Sequence, residues 1–147
     1  EIMKETDADP NNLDIEITEM SMLDYNEELI HKINELKAMG ITISIDDFGT
    51  GYSSLSYLKK IPVNYLKIDR SFIMSMTEGL SGVAMVAAII SLAHALNMQV
   101  VAEGVEKAKE IDILKQYQCE YVQGYYFSKP LPAEQFEQKI KEFFPII

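Results

Sequence analysis

Residues 41–55 read ITISIDDFGTGYSSL: Ile41, Ile43 and Ile45 alternate with Thr42, Ser44 and Asp46, a second aspartate follows, and a glycine turn closes the stretch. Successive side chains of a strand point to opposite faces, so the isoleucines share one side and Asp46 takes the other. The alternation ends on paired carboxylates at the C-terminal end of the strand. Asp46 and Asp47 are therefore either turn-formers, bonding to nearby backbone amides, or part of a site.

Similar runs rich in β-branched and aromatic residues occur at Leu13–Thr18, Tyr65–Asp69, Gln99–Glu103 and Tyr121–Phe127. Helical spacing separates them. Leu29, Ile33, Leu36 and Met39 form one stripe, with Asp24 or Asn26 as N-cap and Gly40 as C-terminal stop. A shorter helix is expected from Ser54 to Lys60 and ends before Pro62; Ser81 caps a long apolar helix to Leu96; Ala108, Ile111 and Leu114 mark the next; Phe136, Ile140 and Phe143 line the last, after Pro132. Strict strand–helix alternation with short connections implies a parallel sheet with right-handed crossovers, doubly wound or closed into a barrel. A (βα)8 barrel needs about 250 residues, so five units in 147 residues amount to a little over half of one.

The composition, 48% hydrophobic and 24% charged, suits one globular domain or part of one. A formal net charge of −10 argues against binding to DNA or RNA duplexes or to anionic membranes, whose phosphates it would repel. A nucleotide ligand would need metal ions to offset that charge. The single cysteine, Cys119, excludes an internal disulfide and points to a reducing, cytoplasmic setting. The longest apolar run, residues 83–96, falls short of the roughly 20 residues of a membrane span.

Each strand places a polar residue opposite its apolar face near the C-terminal end: Glu16, Asp46, Lys67, Glu103 and Gln123. In parallel α/β sheets these ends build the site, and in a barrel they converge on one mouth. Glu16, Asp46, Asp47 and Glu103 would repel one another there unless cations sat among them. That many hard oxygen donors suit magnesium or manganese. Neighbouring carboxylates can bridge a metal pair about 3.5–4 Å apart, which activates water for in-line phosphoryl displacement. Lys67 can offset charge on a phosphate or hold the water, Glu103 can take the water's proton, and Gln123 can position the substrate. A magnesium-dependent enolising barrel or a Schiff-base lyase acting through Lys67 competes with this outline.

Gly49-Thr50-Gly51 lacks the GxGxxG pattern of a phosphate loop and reads as a flexible turn. Glu19, three residues past Glu16, can accept hydrogen bonds from that turn or stay a free loop residue. His31 and His94 lie in helical patterns without ligand spacing, and Tyr125 and Tyr126 read as packing aromatics.

The segments EITEM (16–20), DDFGTGYSSLSYL (46–58), LKIDRSF (66–72), AEGVE (102–106) and QGYYFSKPLP (123–132) resemble, in order and spacing, the EAL domain family of bacterial cyclic di-GMP-specific phosphodiesterases. The resemblance covers nearly the whole chain. It implies a TIM-like (βα)8 barrel that hydrolyses cyclic di-GMP to pGpG with Mg²⁺ or Mn²⁺, two ions in the complete domain. By motif it implies Glu16, Asp46 and Asp47 as metal ligands, Lys67 as a partner of the water and metals, and Glu103 as general base or second-metal ligand. Gln123 becomes a site contact, Glu19 the anchor of the DFGTG loop, and Glu106 a residue at the site's edge.

The chain departs from the family in lacking the Glu-Ala-Leu segment and the asparagine of the following strand, each of which supplies a metal ligand. Residues 1–147 therefore read as the C-terminal portion of a single EAL domain, its last five βα units (strands 4 to 8), impaired or inactive alone. Self-association through the exposed barrel edges or the DFGTG loop region is expected. So is a cytoplasmic location, whether or not the parent is membrane-anchored, with room for upstream sensory or diguanylate cyclase domains. The alternative is a non-catalytic cyclic di-GMP receptor or regulatory module.

Overall fold

The alternating isoleucines find their partner in a layer of helices. The computed structural model describes residues 2–24, 26–51 and 55–143. Its strands are β1 (Asp14–Thr18), β2 (Thr42–Phe48), β3 (Tyr65–Ile68), β4 (Gln99–Glu103) and β5 (Tyr121–Gln123). They form one 5-stranded sheet in the order β1-β2-β3-β4-β5. Every neighbouring pair is parallel, so each connection must cross over. The crossovers carry α2 (Glu27–Ala38), α3 (Leu55–Leu58), α4 (Arg70–Ser75), α5 (Leu80–Ala95) and α6 (Ala108–Gln116); α1 (Ile2–Thr6) precedes the sheet and α7 (Ala133–Phe143) follows it.

Ile43, Ile45, Leu66, Ile68, Val100 and Ala102 are fully buried on one face of the sheet, in a core shared with Ile33, Ile73, Val86, Ile90 and Leu114 of the helices. At about 25 cal/mol per Å² of apolar area removed from water, this layer is the main stabilising term. The other face stays open. Ile15 is an exception to the apolar-inside pattern, 37% exposed, because β1 is an edge strand with a neighbour on one side only.

Local chemistry sets the ends. The Asn26 side chain accepts from Leu29 N–H at the start of α2, and Gly40 takes φ 93° just past its end, a left-handed value that glycine adopts without penalty. Beyond shifts of a residue or two at element ends, four features differ from the sequence expectations. Helix α4 lacks an apolar period long enough to be seen; it starts on Asp69, whose carboxylate accepts from Ser71 N–H. Ser81 is not the cap of α5: the helix begins at Leu80 after Gly79, with no side-chain cap. Strand β2 runs on to Phe48 through an irregular register that leaves Asp47 at φ 55°. Strand β5 stops at Gln123 rather than Phe127, because the chain turns back onto the loop after β4: Tyr126 N–H donates to Val105 O, and a Cβ at Gly124 would stand 2.2 Å from that oxygen.

Ser54 and the side chains of Asp24 and Phe143 lie outside the described residues. Among the described residues, no helix is long and apolar enough to cross a membrane.

Candidate functional site

Parallel pairing brings the C-terminal ends of all strands to one rim, and the polar residues there meet around a single cation. Lys67 on β3 has only 10% of its side chain exposed; its Nζ lies 2.5 Å from Glu16 Oε1 on β1, 2.7 Å from Glu103 Oε1 on β4 and 3.0 Å from Asp46 Oδ1 on β2. Three carboxylates from three strands thus share one ammonium. Burial alone would lower the pKa of Lys67, but the close negative charges of Glu103, Glu16 and Asp46 outweigh it and hold the amine protonated well above its ordinary range.

The three contacts are not equivalent. Glu16 accepts a well-directed hydrogen bond. Asp46 Oδ1 is close enough for charge attraction, yet this buried oxygen lies off the direction of a hydrogen bond and has no such partner. Asp47 is exposed at the left-handed position past the irregularity in β2 and is not among the ion partners of Lys67. The carboxylates are the hard oxygen donors that magnesium or manganese takes, and the orphaned Asp46 oxygen suits a cation. In kind the donors fit. In orientation they serve Lys67: among the described residues, no three acidic, histidine or cysteine side chains converge as ligands of a shared ion.

Two hollows lie near this cluster. The larger, about 430 Å³, includes Lys67 and Glu16 but runs down the open face of the sheet toward the N-terminal ends of the strands, where Leu13, Thr42, Tyr65 and Tyr121 line it. The smaller, about 230 Å³, is lined by Arg70, Glu103, Gly104, Glu106, Gln123 and Tyr125. Gln123 borders both. Glu106 sits at the far side, its Oε1 2.7 Å from Arg70 Nη2.

Backbone loops behind the rim are held by two buried glutamates. Glu19, 3% exposed, accepts through Oε2 from Gly49 N–H at 2.8 Å and Gly51 N–H at 3.0 Å, tying the turn after Asp47. Gly49, at φ 100°, lies so close to Phe72 that a Cβ would stand 2.5 Å from its ring. Glu110, 1% exposed, accepts from Glu106 N–H at 2.8 Å and Lys107 N–H at 3.0 Å, fixing the loop that follows Glu103. Sequence reasoning missed Glu110 and Arg70. The first was findable: a glutamate three positions into a helix reaches back to the N-cap amide. His31 and His94 stay away from the rim, paired with Glu35 and Glu120 respectively.

The EAL domain family model matches residues 1–130. Cyclic di-GMP phosphodiesterase NbdA of Pseudomonas aeruginosa is 42% identical over 131 residues, covering 89% of this chain but 17% of its own length. Among solved structures, the PaMucR phosphodiesterase in complex with c-di-GMP superposes with a TM-score of 0.85 at 41% identity, over 91% of this chain and 54% of that one. Klebsiella pneumoniae BlrP1 with manganese and cy-diGMP gives 0.77 at 30% identity, over 87% and 33%. The chain thus spans about half of one solved relative and a smaller share of the others, and its sheet is part of their TIM-type barrel.

Proposed function

Since the chain belongs to the EAL domain family, we propose that its rim is part of a site that binds cyclic di-GMP and hydrolyses it to pGpG. The support is one observation: a buried ammonium gathers carboxylates from three separate strands at the C-terminal rim, and one of them, Glu103, lines a hollow there with Arg70, Glu106 and Gln123. Water adds to phosphorus, the bond from phosphorus to the ribose 3′ oxygen breaks, and the water's proton ends on that oxygen. Glu103 takes the proton first, Lys67 offsets charge on the phosphoryl oxygens, and Gln123, bordering both hollows, orients the dinucleotide. Glu106 and its partner Arg70 form the outer edge. Glu16, Asp46 and Asp47 would hold divalent cations, magnesium or manganese, which when bound polarise the phosphoryl oxygen and the attacking water. Glu19 keeps the turn beside Asp47 in place. We assign the domain to the cytoplasm.

The chain contains no Glu-Ala-Leu segment, and alone it should hydrolyse cyclic di-GMP weakly or not at all. The test is a chimera that joins residues 1–147 to the preceding half of the PaMucR phosphodiesterase domain. It should hydrolyse cyclic di-GMP with Mn²⁺ and lose turnover, but not binding, on Glu103→Gln. Binding without cleavage would favour a receptor. A folded chimera that neither binds nor cleaves would refute the proposal.

A further inference from the structure

The ammonium of Lys67 has three N–H donors, and three carboxylate oxygens lie within ion-pair reach of it. Its side chain is only 10% exposed, so little water reaches it to take over for a lost partner. Without a cation at this point, Glu16, Asp46 and Glu103 would face one another unneutralised. The carboxylates proposed to hold a divalent cation are thus already occupied by a charge belonging to the chain.

We propose that Lys67 is a resident stand-in cation: it holds Glu16 and Asp46 in the metal-free chain, and a divalent ion must displace it from both, so that Lys67 sets the ion concentration at which the site loads. This rests on the reading of Glu16 and Asp46 as cation ligands. The contacts differ in how readily each would give way. Asp46 Oδ1, buried and without a directed hydrogen bond, is held most weakly and is the first contact to give. Glu16, whose side chain is 48% exposed, has room to swing away. Glu103, 2.7 Å from Nζ on the opposite strand, keeps the ammonium inside the protein after the other two have gone. A lysine suits this role because its charge is compact and its donors rotate, whereas an arginine fork would lock two oxygens in one plane.

The test uses the 147-residue chain and Mn²⁺ alone, with thermal unfolding and Mn²⁺ electron paramagnetic resonance as readouts. In EDTA, Lys67→Met should unfold at a lower temperature than wild type. Mn²⁺ should then bind and stabilise Lys67→Met at concentrations about tenfold or more below those wild type requires, since a positive charge and a competing ligand have both been removed. Equal Mn²⁺ dependence in the two chains, or weaker binding by the variant, overturns the proposal. If Lys67→Met is unfolded in EDTA, recovery of the fold on adding Mn²⁺ supports it, and failure to recover counts against it. A second variant, Lys67→Met with Asp46→Asn, removes one of the facing charges and should fold without metal while losing the Mn²⁺ response; a retained response overturns the assignment of Asp46. Absence of Mn²⁺ binding in both wild type and Lys67→Met would overturn the cation-ligand reading itself, and the stand-in role with it.

Discussion

Glu110 tests how the rim is held in place. Its carboxylate is buried to 1% exposure, and a single oxygen, Oε2, accepts from the amides of both Glu106 and Lys107. Those amides lie just ahead of α6, where the positive end of the helix dipole adds to the attraction. The N-cap residue is Lys107, which has no acceptor to offer in return, so Glu110 alone supplies this side-chain cap. A hydrogen bond to a charged group is worth about 1.5–3 kcal/mol. Two bonds share one oxygen here, and the side chains around the freed amides are exposed, so water recovers part of the loss. Glu110→Ala should therefore cost about 2–4 kcal/mol, which for a chain of this size lowers the melting temperature by roughly 5–15 °C. Glu110→Gln keeps an oxygen facing both amides and should cost less than half as much. Circular dichroism melts measure both variants, and hydrogen exchange at the amides of Glu106 and Lys107 should accelerate in the alanine variant. An alanine variant as stable as wild type, or a glutamine variant as damaged as the alanine one, would show that the loop after Glu103 is held by something else.

Burial pushes the Cys119 thiol up to about 11 from its ordinary value of 9.0, against a backbone contact at Tyr121 that pulls the other way. The folded chain thus favours the protonated thiol, and that preference is complete below pH 9.0 and lost as pH rises through about 11. Relative to wild type, Cys119→Ala should lose less stability across this window, and parallel melting curves for the two chains would contradict the assignment. The outer edges of β1 and β5 are unpaired in this sheet, and Ile15, Tyr121 and Phe136 are 37%, 45% and 55% exposed. Such edges template further pairing, so the chain should run as a dimer or larger species in size-exclusion chromatography with light scattering; a monomer at high concentration would rule this out.

What the sequence made legible follows from which forces are local. A buried strand must show an apolar face, so Ile43, Ile45, Leu66, Ile68, Val100 and Ala102 announce both the strands and the helix-covered side of the sheet. A lysine between Leu66 and Ile68 stands out for the same reason, and parallel pairing then forces the polar ends of the strands onto one rim. Boundaries set by distant contacts were not legible. Tyr125, Tyr126 and Phe127 have the composition of a strand, and the carbonyl of Val105 that turns them aside lies about twenty positions earlier. The left-handed Asp47 results from the register of β2 against β3, a property of two strands rather than of one. Arg70 and Glu106, 36 positions apart, meet across the ends of β3 and β4. Periodicity also says which face a side chain takes but not what it touches. Four acidic residues at one rim suggested a cation from outside, whereas three of them close on Lys67, a charge the chain already carries. On the stand-in role proposed for Lys67, such a site carries its own neutralising charge before it is loaded, and the cost falls on loading, because an incoming cation competes with a neighbour it cannot dilute away.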